Sequence, residues 1–451
     1  MELKDKRVLV VGAGKSGLAV AHFLINKGAA VVLADSSNPA YPGGELDRLA
    51  AAGVHLSLGG YPEVKRGSFD LVVMSPGVPL TVEPARLALE HGIVLTGELE
   101  LAYRFSSAPL VAVTGTNGKT TTTTLLGEIF RNAGNNTLVG GNIGTPLVTE
   151  VERYGPQDMI VAEVSSFQLE TTNTFKPKVA LVLNITPDHL DRHVTMEGYV
   201  DAKAKIFANQ EAGDFTVLNY DDPRTAALAG SSRARVIFFS RREAVPEGVY
   251  VKGGRITAKL GTVEEDICGW DELGIPGAHN LENALAAVAA AKSLGVATTS
   301  LVHTLKTFQG VAHRLEFVAD INGVRYINDS KGTNPDASIK ALEAYPEKIV
   351  LIAGGKNKGS DFGSFAEKVK ERARVLVVLG QSAGAIADAA RARGVENILY
   401  AKDFKDAVVL AHRAARPGEI VLLSPACASW DMFKSFEERG DLFREVVLGF
   451  K

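Results

Sequence analysis

The stretch Leu110–Thr124, L-V-A-V-T-G-T-N-G-K-T-T-T-T-T, leaves a chain like this little choice of fold. A short apolar β-type run, Leu110–Val113, meets a glycine-rich turn at Gly115–Gly118. Lys119 and Thr120 follow, and a helical pattern runs from Leu125 to Arg131 with Gly134 as its stop. Strand, turn and helix in this order form a phosphate-holding device. The turn's backbone N–H groups point inward at phosphate oxygens, and the helix N-terminus adds partial positive charge. Lys119 can reach the outer phosphates and the Thr120 hydroxyl can hold Mg²⁺. The loop is shorter than the usual G-x-x-x-x-G-K-[ST], because Gly115 stands only three residues before Gly118. An ordinary strand–turn–helix with a surface lysine is the competing explanation. It leaves unexplained why strand, glycines, lysine and threonine all fall in the required order.

A chain of 451 residues implies two to four domains of ordinary size. Hydrophobic content of 46% with 22% charged residues fits a soluble globular protein. The net charge of -3 gives no basic excess that would point to nucleic acid or to an anionic membrane. Cys268 and Cys427, far apart, make neither a disulfide scaffold nor a zinc site, and fit a reducing cytoplasm. The opening M-E-L-K-D-K has no signal-like apolar core, and no apolar run is long enough for a bilayer.

The N-terminal part carries a second nucleotide-type pattern. Arg7–Val11 reads as a buried strand running into Gly12-Ala13-Gly14-Lys15-Ser16-Gly17, then a helix to about Asn26. A second strand, Val31–Ala34, ends at Asp35. This is the G-x-G-x-x-G pattern with an acidic residue closing the next strand. It admits an NAD-dependent oxidoreductase. It equally admits a UDP group, with Gly14, Lys15, Ser16, Asp35 and Ser36 at the edge of the crevice. A third strand, Phe69–Met74, ends in Ser75-Pro76-Gly77-Val78-Pro79, at the strand ends where parallel sheets bind ligands.

Beyond the phosphate loop, Gly140-Gly141-Asn142-Ile143-Gly144 marks backbone that closely approaches something, with Asn142 able to bond a substrate carbonyl or phosphate. The apolar strand Met159–Ala162 ends at Glu163, a natural Mg²⁺ ligand beside a phosphate loop, and Ser165 follows. Val179–Leu183 is another strand, leading to Asn184-Ile185-Thr186-Pro187-Asp188-His189-Leu190-Asp191-Arg192-His193. A zinc cage lacks the further Cys or His it would need, and a single His beside a Mg²⁺/phosphate site fits better. The segment Tyr199–Ile206 reads as a helix on which composition alone turns Lys203 and Lys205 to solvent.

These segments together resemble the Mur ligases, ATP-dependent amide-forming enzymes of peptidoglycan synthesis. The resemblance is carried by Gly115-Thr116-Asn117-Gly118-Lys119-Thr120, Glu163-Val164-Ser165-Ser166-Phe167-Gln168-Leu169, Asn184-x-x-x-Asp188-His189-Leu190-Asp191, the Lys203 helix and Gly277-Ala278-His279-Asn280-x-x-Asn283. It implies that the loop residues through Thr121 hold ATP and that Asn283 contacts its adenine. Lys203 would be a carbamylated lysine, holding a second Mg²⁺ together with His189. Asn142 and Ser165 would face a UDP-muramoyl substrate.

The resemblance continues through Gly310-Val311-Ala312-His313-Arg314 and Asn328-Asp329-Ser330-Lys331-Gly332-Thr333. Arg314 would approach the γ-phosphate and stabilise developing charge; Asp329 would bind the ribose. The run Ser424-Pro425-Ala426-Cys427-Ala428-Ser429-Trp430-Asp431-Met432-Phe433 is most similar to the D-glutamate-adding branch. Lys331, Thr333, Lys358, Ser429 and Phe436 are the implied D-glutamate contacts. No D-N-P-R run, as in the diaminopimelate-adding branch, is present. Strands at Val324–Ile327, Ile349–Ala353, Val375–Leu379 and Ile420–Leu423 alternate with helices.

The expected fold is α/β in three domains. Residues 1–98 form a Rossmann-like UDP-binding domain, 99–310 a central P-loop ATPase-like domain with a mainly parallel sheet, and 311–451 a Rossmann-like amino-acid-binding domain. The implied partners are UDP-N-acetylmuramoyl-L-alanine and D-glutamate, with ATP and two Mg²⁺ ions. A cytoplasmic monomer with no nucleic-acid or membrane partner is expected. An oxidoreductase would leave the loop at Gly115 unexplained. A nucleotide-gated binding module would not need Lys119, Thr120, Glu163, His189 and Lys203 together.

Overall fold

Three sheets carry the chain. The computed structural model describes residues 1–38, 44–275, 277–357 and 359–450, with no side-chain description at 190 and 191. The first sheet is built from β1 (Arg7–Val11), β2 (Ala30–Asp35), β3 (His55–Leu58), β4 (Leu71–Met74) and β5 (Val94–Gly97). Its order is β3-β2-β1-β4-β5, parallel throughout. The chain reverses direction across the sheet between β1 and β4, and the loops after those two strands therefore face one crevice.

The second sheet holds β6 (Leu110–Thr114), β7 (Thr137–Gly141), β8 (Met159–Glu163), β9 (Val179–Val182), β10 (Phe215–Asn219), β11 (Arg235–Ser240), β12 (Gly248–Lys252), β13 (Arg255–Leu260) and β14 (Val263–Gly269). The order is β14-β13-β12-β11-β10-β9-β6-β8-β7. It is parallel from β7 to β12, while β13 and β14 add an antiparallel edge. The hairpin β12–β13 turns on Gly253-Gly254, with φ of +55° and +80°, the left-handed pair that a tight two-residue hairpin needs. Charged residues along β13 and β14 mask this edge in the sequence, but they suit a strand pair half in water.

The third sheet runs β15 (Glu316–Ile321), β16 (Val324–Asn328), β20 (Ile420–Leu423), β17 (Ile349–Gly354), β18 (Ala373–Leu379) and β19 (Ile398–Tyr400) in spatial order. Only β15 is antiparallel. The central strands β17 and β20 are buried along their whole length, as parallel strands covered on both faces must be.

The chain forms two compact units. One comprises Met1–Glu272 with Glu282–Lys306, and the other Leu273–Leu281 with Thr307–Lys451. Within the first unit, the first two sheets share one hydrophobic core that includes Val8, Leu24, Leu99, Leu110, Ile160 and Tyr199. The helix Glu98–Phe105 passes between them. Its Leu99, Leu101 and Ala102 are buried, and so are two carboxylates. Glu100 accepts from the N–H groups of Asn173, Thr174 and Phe175 and from Arg104 Nε at 2.7–3.0 Å. Burial pushes its carboxyl up, but these bonds and the Thr174 hydroxyl more than offset that and hold it low. Glu98 has fewer partners. It takes the Val148 N–H at 2.9 Å, and burial, only partly offset by the N–H groups of Val148 and Leu147, pushes it up to about 7.

An acid raised in the fold stabilises fully below its unfolded pKa, near 4.5, and that contribution is lost as pH rises through about 7. Glu98→Gln keeps an acceptor and cannot ionise. The variant is therefore expected to gain on the wild type between about pH 5 and about pH 8, by on the order of 3 kcal/mol at roughly 1.4 kcal/mol per pKa unit. Thermal midpoints measured across that range check it; parallel curves would show that Glu98 does not titrate there.

Candidate functional site

Strand β6 ends at Thr114, Gly115 bends the chain, and the helix Lys119–Asn132 starts after Gly118. Gly118 has φ +86°, and a Cβ there would lie 2.2 Å from Asn283 Oδ1, so the turn closes only with glycine. Asn184, just past β9, fixes the loop. Its Oδ1 accepts from Asn117 N–H at 2.8 Å, its Nδ2 donates to Asn117 O at 3.1 Å, and its own carbonyl takes Thr116 N–H at 2.9 Å. The Thr116 hydroxyl donates to Thr186 O at 3.1 Å and lies 3.3 Å from Tyr199 Oη.

Two lysines converge on this loop. Lys119 Nζ donates to Gly115 O and Thr116 O, each at 2.9 Å. Lys203 Nζ donates to the same Gly115 carbonyl at 2.9 Å and lies 4.6 Å from the Tyr199 ring centroid. Lys203 is only 1% exposed, which corrects the solvent-facing placement that composition favours. It sits on the inner face of the helix Met196–Ala204 and points into the loop, whereas Lys205, in the next turn, is exposed. Burial, and then the nearby Lys119 charge, hold Lys203 well below the usual lysine range, against a smaller opposite pull from Asp188.

Glu163 ends β8, opposite Val113 of β6 and Gly141 of β7. Its Oε1 accepts from Asn142 Nδ2 at 2.8 Å and its carbonyl takes Asn142 N–H at 2.9 Å. Its Oε2 is buried with no hydrogen-bond partner among the described residues. A buried carboxylate oxygen without a donor, beside a phosphate loop, suits a hard cation. Among the described residues no three His, Cys, Asp or Glu cluster as a self-contained metal cage. His189 has φ +52°, and its ring meets Phe167 edge-on at 4.8 Å. Ser165 caps the short helix Ser166–Leu169 in a reciprocal capping box with Gln168. Thr120 and Thr121 are buried in the first turn of the loop helix. Asn283 lies against that turn, with Thr122 Oγ1 3.3 Å from its Oδ1.

The first sheet supplies a separate crevice in the same unit. Gly12 has φ +96°, and a Cβ on Gly17 would fall 1.8 Å from Gly12 O, so strand and helix meet backbone to backbone. Asp35 Oδ2 accepts from Ala13 N–H at 2.8 Å, and Oδ1 from the Ser37 N–H and hydroxyl. Burial raises its carboxyl, but those bonds together hold it below the usual range. Both Asp35 oxygens thus serve the protein's own loop. Ser75 Oγ donates to Gly12 O at 2.8 Å. Lys15 Nζ donates to Gly144 O at 2.6 Å, beside Asn142. Gly14 and Ser36 are exposed, Ser16 and Pro76 half-buried, and Gly77 exposed.

In the second unit, Asp329 Oδ2 accepts from Ser424 Oγ at 2.7 Å. Burial lifts its carboxyl to about 6 in spite of that bond and the nearby Arg314 charge. Lys331 Nζ stands 5.5 Å from the Phe436 ring centroid, and Lys331 N–H bonds His313 O at 3.0 Å. Thr333 N–H bonds Lys331 O at 2.9 Å. Lys356 and Ala428 exchange backbone bonds at 2.8 and 3.1 Å, bringing the loop after β17 beside the buried Ser429. Lys358 lies outside the described residues.

Several structural residues have no distinctive sequence signal. Arg192, Glu98, Glu100 and the fully buried Arg439 are ordinary charges until the fold surrounds them. Arg439 donates to Ser330 Oγ and O and to Cys427 O at 2.8–3.2 Å. Asn184 and His279 stand inside the motifs without a role being legible. Burial first, then Arg314 and Lys340, push His279 down to about 4.

Three family models match successive parts of the chain. These are the Mur ligase MurD-like N-terminal domain over residues 6–97, the Mur ligase middle domain over 113–291, and the glutamate ligase domain of Mur ligases over 313–427. A protein of Pelotomaculum thermopropionicum named UDP-N-acetylmuramoylalanine–D-glutamate ligase is 72% identical over 452 aligned residues, covering 100% of this chain and 99% of its own. A Thermoanaerobacter protein of the same name is 49% identical, covering 99% of each. Among solved structures, UDP-N-acetylmuramate-alanine ligase of Thermotoga maritima matches with a TM-score of 0.62 at 22% identity, covering 99% of this chain and 100% of that one. The MurF ligase of the same organism, in complex with ADP, matches with a TM-score of 0.60 at 18% identity, covering 100% and 97%. These last two bear on the fold alone.

Placing a methyl at Gly118 tests the loop. Gly118→Ala meets the Asn283 side chain and adds a left-handed penalty of about 1–2 kcal/mol. The expected result is a lowered thermal midpoint together with loss of Mg-ATP-dependent stabilisation. An unchanged nucleotide response would show that the turn does not hold phosphate.

Proposed function

The chain belongs to the Mur ligase family, and from that premise we propose how its residues carry the reaction. It adds D-glutamate to UDP-N-acetylmuramoyl-L-alanine with ATP, a step in peptidoglycan precursor synthesis. The observation that carries this is the end-to-end match at 72% identity to a D-glutamate ligase. Boundaries near residues 98 and 310 divide the UDP-binding, ATP-binding and amino-acid-binding parts.

In the proposed mechanism the L-alanine carboxylate attacks the γ-phosphorus of ATP, the bond to the bridging oxygen of ADP breaks, and an acyl phosphate forms. The D-glutamate amine then attacks the acyl carbon, phosphate leaves with the bonding electrons, and the amine gives up a proton. Two anions must meet in the first step. Lys119, over the loop carbonyls, supplies positive charge to the phosphates, with the loop's backbone N–H groups. Arg314 is assigned to the γ-phosphate, Asp329 to the ribose and Asn283 to the adenine. Thr120, Glu163 and His189 are the proposed Mg²⁺ holders, and the unpartnered Glu163 oxygen supports that assignment. Bound Mg²⁺ would supply Lewis-acid charge that offsets the repulsion between carboxylate and phosphate.

Lys203 is the proposed site of a carbamate, formed when its neutral amine adds to carbon dioxide and a proton is released. Burial of the amine, with the nearby Lys119 charge, favours the neutral form that this addition needs. The product would be an anion at the buried end of the side chain, where Lys203 could then serve as a Mg²⁺ ligand. Gly14, Lys15, Ser16, Asp35, Ser36, Ser75, Pro76, Gly77, Asn142 and Ser165 are assigned to the UDP-sugar. Lys331, Thr333, Lys358, Ser429 and Phe436 are assigned to D-glutamate. No helix among the described residues is long and apolar enough to cross a membrane, and the chain is proposed to act as a cytoplasmic monomer.

Phosphate release from Mg-ATP should require both UDP-N-acetylmuramoyl-L-alanine and D-glutamate; L-glutamate or other amino acids supporting equal release would move the specificity elsewhere in the family. Lys119→Ala should lose at least about a thousandfold in turnover, the scale of an electrostatic contact to transferring phosphate. Lys203→Ala should abolish turnover and Lys203→Arg should not be rescued by bicarbonate. Near-wild-type turnover in either would remove the carbamate.

A further inference from the structure

Arg192 lies beyond the assigned site residues, yet it touches both halves of the first unit. Its largely buried guanidinium donates through Nη1 to Pro76 O at 2.8 Å and through Nη2 to Val78 O at 3.3 Å. Nη2 also donates to Glu170 Oε2 at 2.6 Å. The guanidinium carbon lies 4.2 Å from the Phe167 ring centroid, and the same ring meets His189 edge-on. The other Glu170 oxygen lies 3.5 Å from His193 Nδ1, and His193 Nε2 lies 2.9 Å from Ser166 Oγ. One planar fork is thereby fixed on three sides, by two carbonyls, a carboxylate and an aromatic face.

The Pro76 and Val78 carbonyls belong to the turn after β4, at the crevice of the first sheet. A planar trans peptide sets its N–H opposite its C=O. With Pro76 O turned to Arg192, the Gly77 N–H of the same peptide is turned the other way, at an exposed residue. The opposite side of the turn is held by Ser75 Oγ on Gly12 O and by Val78 N–H on Ser75 O at 3.0 Å.

Resting on the assignment of Ser75–Gly77 to the UDP-sugar, we propose that Arg192 is a positioning residue for the nucleotide-sugar substrate. It holds the Pro76–Gly77 peptide with its N–H toward the ligand, and, standing three residues after His189 with its guanidinium set by Phe167 and Glu170, it ties that turn to the segment bearing His189. A lysine cannot replace it, because a single ammonium lacks the fork that reaches two carbonyls and a carboxylate at once.

Full-length R192K and R192M test this, with KM for each of the three substrates, kcat, and direct calorimetric binding of UDP-N-acetylmuramoyl-L-alanine. Both variants should bind the nucleotide sugar at least about tenfold more weakly, the scale of losing a hydrogen bond to a charged group. KM for Mg-ATP and for D-glutamate should stay within about threefold of the wild type, a selectivity that general loosening of the fold would not give. E170Q, which keeps the Arg192–carbonyl bonds and removes the ion pair, should shift the same KM in the same direction by less. Nucleotide-sugar binding within about twofold of wild type in R192K and R192M would overturn the proposal and leave the assigned reaction standing. So would an equal rise in all three KM values. Failure of the wild type itself to bind the nucleotide sugar would overturn the assignment of the turn, and this proposal with it.

Discussion

The Gly115 carbonyl is where the first unit's chemistry is set. It accepts from Lys119 and Lys203 at once, so two amines that would repel each other in the open are held within reach of one oxygen. One lysine opens the loop helix; the other comes from a helix some eighty residues later. Burial and this crowding together disfavour a charge on Lys203. The loop tolerates the arrangement because Asn184 takes both backbone polar groups of Asn117 and its carbonyl takes Thr116 N–H. The turn is a rigid fixture of β6 and β9 rather than a free loop.

Polar groups, not apolar ones, define the joints around that fixture. The helix between the first two sheets buries Glu98 and Glu100, yet the two carboxylates differ. Glu100 takes three backbone N–H groups, a hydroxyl and an arginine, and stays ionised. Among the described residues Glu98 has only the N–H groups of Val148 and Leu147 against full burial, and is pushed up to about 7. The same principle governs the second unit, where Arg439 sits 1% exposed among Ser330 and Cys427 oxygens. Each such group is costly to bury without partners, so each fixes the loops that supply them.

Much of the architecture was legible in local pattern. The strands at Arg7–Val11, Leu110–Val113, Val179–Leu183 and Ile420–Leu423 are short apolar runs ended by glycine or polar residues, and the structure forms them at or within a residue or two of those bounds. The edge strands β13 and β14 were not legible, because their alternation carries charged residues on the wet face. The Gly253-Gly254 pair marks the turn from β12 into β13, not the pairing of β13 with β14. Lys203 shows a different limit. On composition it belongs in water, and the family resemblance alone argued otherwise; its burial depends on the helix face it shares with Tyr199 turning toward Gly115.

By itself the sequence determined the nucleotide chemistry. A strand, two glycines, a lysine and a threonine in fixed order have one compact arrangement, since only glycine accepts φ +86° at Gly118 and only a helix start follows. It also determined three successive α/β segments, because hydrophobic period and turn residues are local properties. Tertiary structure alone decided what the isolated charges do. Asp35, which the pattern places at the edge of the crevice, also accepts from the N–H groups of Ala13 and Ser37 in its own loops. Arg192, unremarked in sequence, joins a turn of the first sheet to the Phe167 platform. Partners more than a hundred residues apart leave no mark on either segment, and a side chain's charge state follows from the partners and burial it meets only after folding.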